Sequence, residues 1–318
     1  MADYLDATRI RALAAELGLK PSKGRGQNFL FDANTVRRIV NLAQLDPNDV
    51  VLEIGPGLGS LTVGLLHTGA QVIAIEIESA LAARLATTMG DLAPDKVDHL
   101  RVVEADALRV QPSDVTTSET ASPDSPPTTN TPTANRSGDA SDGPALLPTR
   151  LVANLPYNIS VPVILHTLAL FPSIERGLVM VQSEVADRLV AHPGSKIYGV
   201  PSAKLAWYAD ATRVGSVPAT VFWPAPNVES GLVSFVRRDP PAQADRATVF
   251  SLIDHAFSQR RKMLRSVLAS VWGPTIIDAL VAVGISPQAR GETLSIDDFA
   301  RLARHITPPE SMSGIGKR

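Results

Sequence analysis

Short apolar runs that close on a small or polar residue recur through the first 240 positions: Val50–Ile54, Val72–Ile75, Leu100–Val103, Arg150–Val152, Gly177–Val181 and Leu232–Val236. They are too short for helices and rich in β-branched residues, so each is expected as a buried strand. Between them "SLTVGLLHTG" has helical spacing and a stop at Gly69, and Ser79–Thr88 reads as a second helix. Strands alternating with helices predict an α/β fold with a parallel, doubly wound sheet covered by helices on both faces. From about Arg246 the pattern turns purely helical, in "ATVFSLIDHAFSQRRKMLRSVLASVW", "PTIIDALVAVG" and "SIDDFARLARHI". The expected organisation is therefore an α/β domain over 1–240, a small helical domain over 245–310 and a tail over 311–318.

One stretch breaks the alternation. Residues 110–148 are a block of Pro, Ser, Thr, Asp and Gly without an aromatic residue. Such a composition cannot offset the entropy of ordering, so a disordered insertion is expected there, with the fold continuing on both sides. The block holds five acids against one base, which makes the remainder of the chain mildly basic, net +2, although the whole carries −2. No apolar run is long enough to span a bilayer and the N-terminus lacks an apolar core, so neither membrane nor secretion is indicated and a cytoplasmic protein is expected. With no cysteine, and six histidines without ligand spacing, no metal site is expected.

Chemistry collects at the strand ends. "VLEIGPGLGS" places Gly55, Gly57 and Gly59 directly after a strand, where the backbone can turn tightly and a ligand can approach without meeting a Cβ. Ser60 stands where the dinucleotide fingerprint wants its last small residue, and the third glycine falls one position early, which disfavours NAD. Glu76 ends the next strand, where a carboxylate can accept both hydroxyls of a ribose. Asp106 follows the third strand and can accept from the amino group of an adenine or cap a helix. The series points to an adenosine-like ligand.

At the next strand end stands "LVANLPYNIS". The exocyclic amine of adenine is a poor nucleophile because its lone pair is delocalised into the ring. The Asn154 side-chain oxygen and the Leu155 carbonyl can each accept one amine hydrogen and so localise that pair, while Pro156 stiffens the turn that aims them. Tyr157 offers a ring on which an unstacked purine can lie.

The "NLPY" run resembles the N-P-P-Y/F signature of amino-group methyltransferases that use S-adenosylmethionine. With "GQNFL", "VLEIGPGLGSLT", "EADAL", "VQSEVADR", "VFWPAPNVES", "AFSQRRKMLR" and "ETLS" before "DFARL", the chain resembles the KsgA-type ribosomal RNA adenine dimethyltransferases from residue 26 to about 303. The resemblance implies a Rossmann-like methyltransferase sheet, and S-adenosylmethionine held by Asn28, Leu30, Gly55, Glu76, Asp106 and Asn154, with Gly57 in the same turn. Phe222 is the candidate for a second aromatic wall around the target base. Two features depart from the family pattern: the 110–148 insertion, and Ser183 where a lysine is expected.

For an RNA partner, a helical wheel through 253–271 gives an apolar stripe of Ile253, Phe257, Leu264, Leu268 and Val271. Arg261, Lys262 and Arg265 lie on its flank and Arg260 inside it, where packing of its stem or internal pairing is expected. Lys20, Lys23 and Arg25 add a second basic stretch suited to phosphate contacts. The implied activity is S-adenosylmethionine-dependent N6-dimethylation of two adjacent adenosines near the 3′ end of small-subunit (16S) ribosomal RNA, by a monomer acting on a 30S assembly particle. Alternatives are a macrolide-resistance type methyltransferase of large-subunit RNA, an assembly-binding factor with incidental catalysis and, less favoured, an NAD-dependent oxidoreductase.

Overall fold

The computed structural model describes residues 4–19, 28–116 and 146–307. In chain order the elements are α1 (Ala7–Glu16), β1 (Phe29–Leu30), α2 (Ala33–Ala43), β2 (Val50–Ile54), α3 (Ser60–Leu66), β3 (Gln71–Glu76), α4 (Ser79–Leu92), β4 (Leu100–Glu104) and α5 (Pro112–Thr116). There follow β5 (Arg150–Asn154), α6 (Ser160–Leu170), β6 (Arg176–Gln182), α7 (Ser183–Leu189), α8 (Val200–Leu205), β7 (Ala209–Val217), β8 (Phe222–Trp223) and β9 (Ser230–Arg237). Four helices complete the described chain: α9 (Arg246–Ser258), α10 (Leu264–Trp272), α11 (Ile276–Ala282) and α12 (Ile296–Ala303).

The main sheet has seven strands in the order β4-β3-β2-β5-β6-β9-β7. The five strands from β4 to β6 run parallel, and β9 and β7 are antiparallel additions at one edge. The chain steps outward from β2 to β4, then returns to the other side of β2 for β5. At that reversal the connections diverge and leave a crevice beyond the carboxyl ends of the strands, the place where open α/β sheets bind ligands. Burial on both sheet faces explains why β2 and β3 read as nearly continuous apolar runs. The expected sheet is thus present, extended by β7, whose "ADATRVGSV" leaves every residue between its buried ends partly or fully exposed and so carries no buried-strand pattern.

Two corrections concern the periphery. The expected insertion begins too early at 110: Val110 and Val115 are buried, α5 covers 112–116, and the Arg101 guanidinium donates to the carbonyls of Val115 and Asp114. The expected insertion also ends too late at 148, since Pro148 is buried and its carbonyl accepts from Ser173; 117–145 lies outside the described residues, as do the 311–318 tail and Lys20, Lys23 and Arg25. The single helix assumed for the wheel is also two helices. The chain leaves α9 at Gln259 and re-enters at Leu264, whose N–H donates to the Ala289 carbonyl at 2.8 Å, with Arg265 N–H donating to Pro287. Tertiary bonds to the 287–289 segment impose the break, since neither Gly nor Pro marks it.

Arg260, in that break, pairs with Glu292 at 2.8 Å and donates to the Lys196 carbonyl, the internal role expected of it. Arg261, Lys262 and Arg265 are exposed around the same turn. The core of α9 to α12, with Leu252, Ile253, Leu268, Leu280 and Phe299, is continuous with the apolar layer on one face of the sheet. Tyr198 ties the two by donating its hydroxyl to the Leu294 carbonyl at 2.9 Å.

Candidate active site

A cavity of about 340 Å³ opens at the carboxyl ends of β2, β3, β4 and β5. Its wall starts from the glycine turn. Gly55, Gly57 and Gly59 all have positive φ, at 69°, 59° and 94°. A Cβ on Gly57 would come 3.1 Å from the Phe29 ring, and one on Gly59 would sit 2.6 Å from Met89 Cε. Gly59 therefore performs the close helix packing, of α3 on α4, that Ser60 was placed to perform in the dinucleotide pattern. Gly55 stands against Pro156 across the reversal point, 3.8 Å from the proline ring to the Cβ position.

Glu76 is 5% exposed at the end of β3, and its carboxylate accepts from the backbone N–H groups of Gly57 (3.1 Å) and Glu78 (3.0 Å). The carboxylate thus locks the glycine turn to the neighbouring strand end. Burial raises its pKa, with the Glu78 charge adding to the rise and those backbone donors, with Ile77, offsetting it only in part. Asp106 accepts from Leu108 N–H at 2.9 Å, the local turn role that competed with a ligand role, and it lines the cavity as well.

Asn154, at the end of β5, directs its amide nitrogen at the Asn28 carbonyl 3.5 Å away. That contact uses the donor end of the amide and leaves its acceptor end for a ligand N–H. Asn28 is held there because Phe29 and Leu30 pair antiparallel with Trp223 and Phe222, a two-residue ladder with no readable periodicity. Leu155 is buried and bonded through its N–H to the Met180 carbonyl, which fixes the Asn154–Leu155 peptide just before Pro156. Tyr157 bonds its hydroxyl to Ser230 Oγ at 2.9 Å, and with Asn28 it lines both the cavity and a second hollow of about 410 Å³ that is also bounded by Asn158, Gln182, Pro226, Asn227 and Val228.

The structure brings together Asn28, Leu30, Gly55, Gly57, Glu76, Asp106 and Asn154–Tyr157 around one cavity. It does not bring Phe222 there. That side chain is 3% exposed in the apolar layer beneath β1 and β8, so the second aromatic wall assigned to it is corrected to a core position. Ser183, in place of the expected lysine, accepts from Arg213 at 2.9 Å beside the Arg213–Asp187 ion pair, away from the cavity.

Two residues were missed. Ser230 lies 73 positions beyond Tyr157, and only the fold joins them. Glu53 had a signal: it is the one charged residue in the fully buried run "VVLEI". It lines the cavity at 1% exposure, and its Oε2 has no hydrogen-bond partner among the described residues. The Thr62 hydroxyl alongside is likewise buried without a properly aligned partner. Burial raises the Glu53 pKa to about 8, against the lowering pull of the Thr62 hydroxyl beside it and with the Glu76 charge adding a lesser rise.

The cavity wall contains four acids, Glu53, Glu76, Glu78 and Asp106, and among the described residues no base. Such a wall favours a ligand that is polar, hydroxyl-bearing and positive. No helix among the described residues is long and apolar enough to cross a membrane.

Comparison with known proteins agrees. The profile of the family described as ribosomal RNA adenine dimethylase matches residues 19–307. The ribosomal RNA small subunit methyltransferase A of Cutibacterium acnes is 50% identical over 98% of this chain and 98% of its own. That of Streptomyces griseus is 53% identical over 93% of each. Among solved structures, a dimethyladenosine transferase from Plasmodium falciparum superposes with a TM-score of 0.66 at 23% identity, covering 86% of this chain and 95% of its own. The 23S rRNA methyltransferase ErmE does so at 0.57 and 24%, covering 88% and 99%. These two likenesses establish the Rossmann-like methyltransferase fold. With its glycine turn, its strand-end acids and its "NLPY" corner on one cavity, the chain belongs to the ribosomal RNA adenine dimethylase family.

Proposed function

We propose that the protein transfers methyl groups from S-adenosylmethionine to the N6 amines of two adjacent adenosines near the 3′ end of small-subunit ribosomal RNA. The observation that carries this reading is the convergence of the Glu76 acceptor, the Cβ-free glycine turn and the Asn154–Tyr157 corner on one cavity whose described wall is acidic only. The relatives about 50% identical over nearly the whole chain, named as small-subunit methyltransferases, support the choice of RNA.

The residues present fit the cofactor. Glu76 would hold the ribose hydroxyls, Asp106 the adenine amine, and Asn28, Leu30, Gly55 and Gly57 the remainder along the wall. When bound, S-adenosylmethionine supplies an electrophilic methyl group. The protein's part is positional. The target adenine, drawn from its stack, reaches the Tyr157 ring from the second hollow, and Tyr157 is kept upright by Ser230. The Asn154 oxygen and the Leu155 carbonyl accept the two amine hydrogens and turn the nitrogen lone pair toward the cavity. These contacts tighten as the nitrogen becomes tetrahedral and therefore act mainly in the transition state. The surplus proton leaves the product amine for solvent. Arg261, Lys262 and Arg265, exposed on the α9–α10 turn, would contact RNA phosphates, which position the substrate without specifying its sequence.

The protein would act as a monomer on a 30S assembly particle in the cytoplasm. The test is incubation with S-adenosylmethionine and unmethylated small or large subunits, followed by mass spectrometry of the digested RNA. Dimethyladenosine confined to the small subunit supports the reading. Modification of the large subunit alone, or of neither, overturns it.

A further inference from the structure

Glu53 is a costly residue to place where it is. An acid next to the carboxyl end of a central parallel strand, 1% exposed, normally has its oxygens paired, because an unpartnered polar atom away from water forfeits its hydration. Here Oε2 has no partner among the described residues, and the Thr62 hydroxyl on the covering helix is in the same condition. No cation faces the pair: α3 carries no charged residue, β3 contributes Glu76, β5 contributes the neutral Asn154, and the described cavity wall adds only Glu78 and Asp106. A carboxyl so placed keeps its proton while the cavity holds water or a neutral ligand, and its pKa, raised to about 8 mainly by burial, accords with that.

The two forms of the proposed cofactor differ by one charge at sulfur. S-adenosylmethionine carries a sulfonium and is net positive, whereas S-adenosylhomocysteine, left after transfer, is a neutral thioether with the same ammonium, carboxylate, ribose and adenine. Every contact from Glu76, Asp106 or the glycine turn is available to both. Beyond the general pull of the acidic wall on a positive ligand, a group whose own charge answers to the sulfonium would tell them apart most sharply.

We propose that Glu53 is that group: it is a neutral acid beneath the empty or product-filled cavity, and it ionises, releasing one proton to solvent, when the sulfonium form of the cofactor binds. The step is a simple dissociation, carboxylic acid to carboxylate and a solvated proton, and it reverses when the methyl group and its charge leave with the substrate. The carboxylate then holds the charged cofactor, and reprotonation loosens the spent one, so the same residue favours loading and product release. The inference rests on the proposed cofactor.

The experiment is titration calorimetry of the full chain with each ligand at pH 7, in buffers of different ionisation enthalpy, so that the slope of the heat against buffer enthalpy counts the protons released. The expected result is most of one proton released per S-adenosylmethionine bound, close to none per S-adenosylhomocysteine, and loss of the difference above pH 9. Glu53→Gln, which preserves shape, should abolish the release and cut the affinity ratio of the two ligands about tenfold or more. If the wild type binds S-adenosylmethionine without releasing a proton, or releases equal numbers with both ligands, the inference is wrong and the cofactor assignment stands. If the wild type binds neither ligand, the cofactor assignment itself fails. The wild-type pH series decides the matter even if Glu53→Gln does not fold.

Discussion

Tyr157 and Ser230 are joined by a 2.9 Å hydrogen bond that ties the turn after β5 to the first residue of β9. Ser230 is fully buried there, so its hydroxyl anchors the tyrosine, which lines both hollows. The hydroxyl and the ring thus have separable duties.

Substitution at this pair separates them. Tyr157→Phe keeps the ring but leaves the buried Ser230 hydroxyl without its partner, so a stability loss of about 1–3 kcal/mol is expected with methyl transfer largely kept. Tyr157→Ala removes the stacking platform as well and should cost a further ~1–3 kcal/mol in RNA binding. Thermal melting and single-turnover methylation of small subunits, run in parallel, read the two effects.

Glu76→Ala is expected to weaken S-adenosylmethionine binding by about 1–3 kcal/mol, through loss of the ribose acceptors and of the clamp on Gly57 and Glu78. Calorimetry measures the affinity, and an unchanged far-ultraviolet spectrum shows that the fold is kept. Unaltered affinity would remove Glu76 from the site.

Phe222→Ala should behave as a core deletion. With the ring buried beneath the β1–β8 ladder, the expected loss is about 3–5 kcal/mol of stability. Cofactor affinity measured well below the lowered melting temperature should change little. A selective fall in RNA methylation at unchanged stability would restore the base-wall role expected from the sequence.

How much was legible follows from particular residues. The strands β2, β3, β5, β6 and β9 announced themselves as apolar runs because both faces of the sheet are covered there, whereas β4, expected as a buried strand, is an edge strand with no buried residue. The strand ends Gly55, Glu76, Asp106 and Asn154 were readable because the chemistry of an α/β crevice sits where each run stops. The two-residue β1–β8 pairing, the break at Gln259–Met263 and the Tyr157–Ser230 bond were not readable, since each depends on a partner far along the chain. Glu53 was visible in "VVLEI" as a charge out of place, yet only the fold shows that it faces the cavity.

That burial has a pH signature in the free protein. Because the folded pKa of Glu53 is raised from 4.5 to about 8, folding favours its protonated form. The associated stability is fully present below pH 4.5, declines as the pH rises and is lost by about pH 8. Glu53→Gln should remove this component, so its stability should gain on the wild type between pH 5 and 8. Denaturant titrations of both proteins across that range give the difference directly, and a constant offset would show that Glu53 is not buried as an acid.

The most direct test of the chemistry at the "NLPY" corner is single-turnover methylation of unmethylated small subunits by the wild type and by Asn154→Ala, with S-adenosylmethionine at saturation and its affinity determined for both. If Asn154 orients the adenine amine, transfer by Asn154→Ala at saturating cofactor should fall roughly 10²–10³-fold, as it does when a preorganised transition-state hydrogen bond is removed. A near-normal rate with a folded, cofactor-saturated variant would contradict the assignment of methyl transfer to this corner.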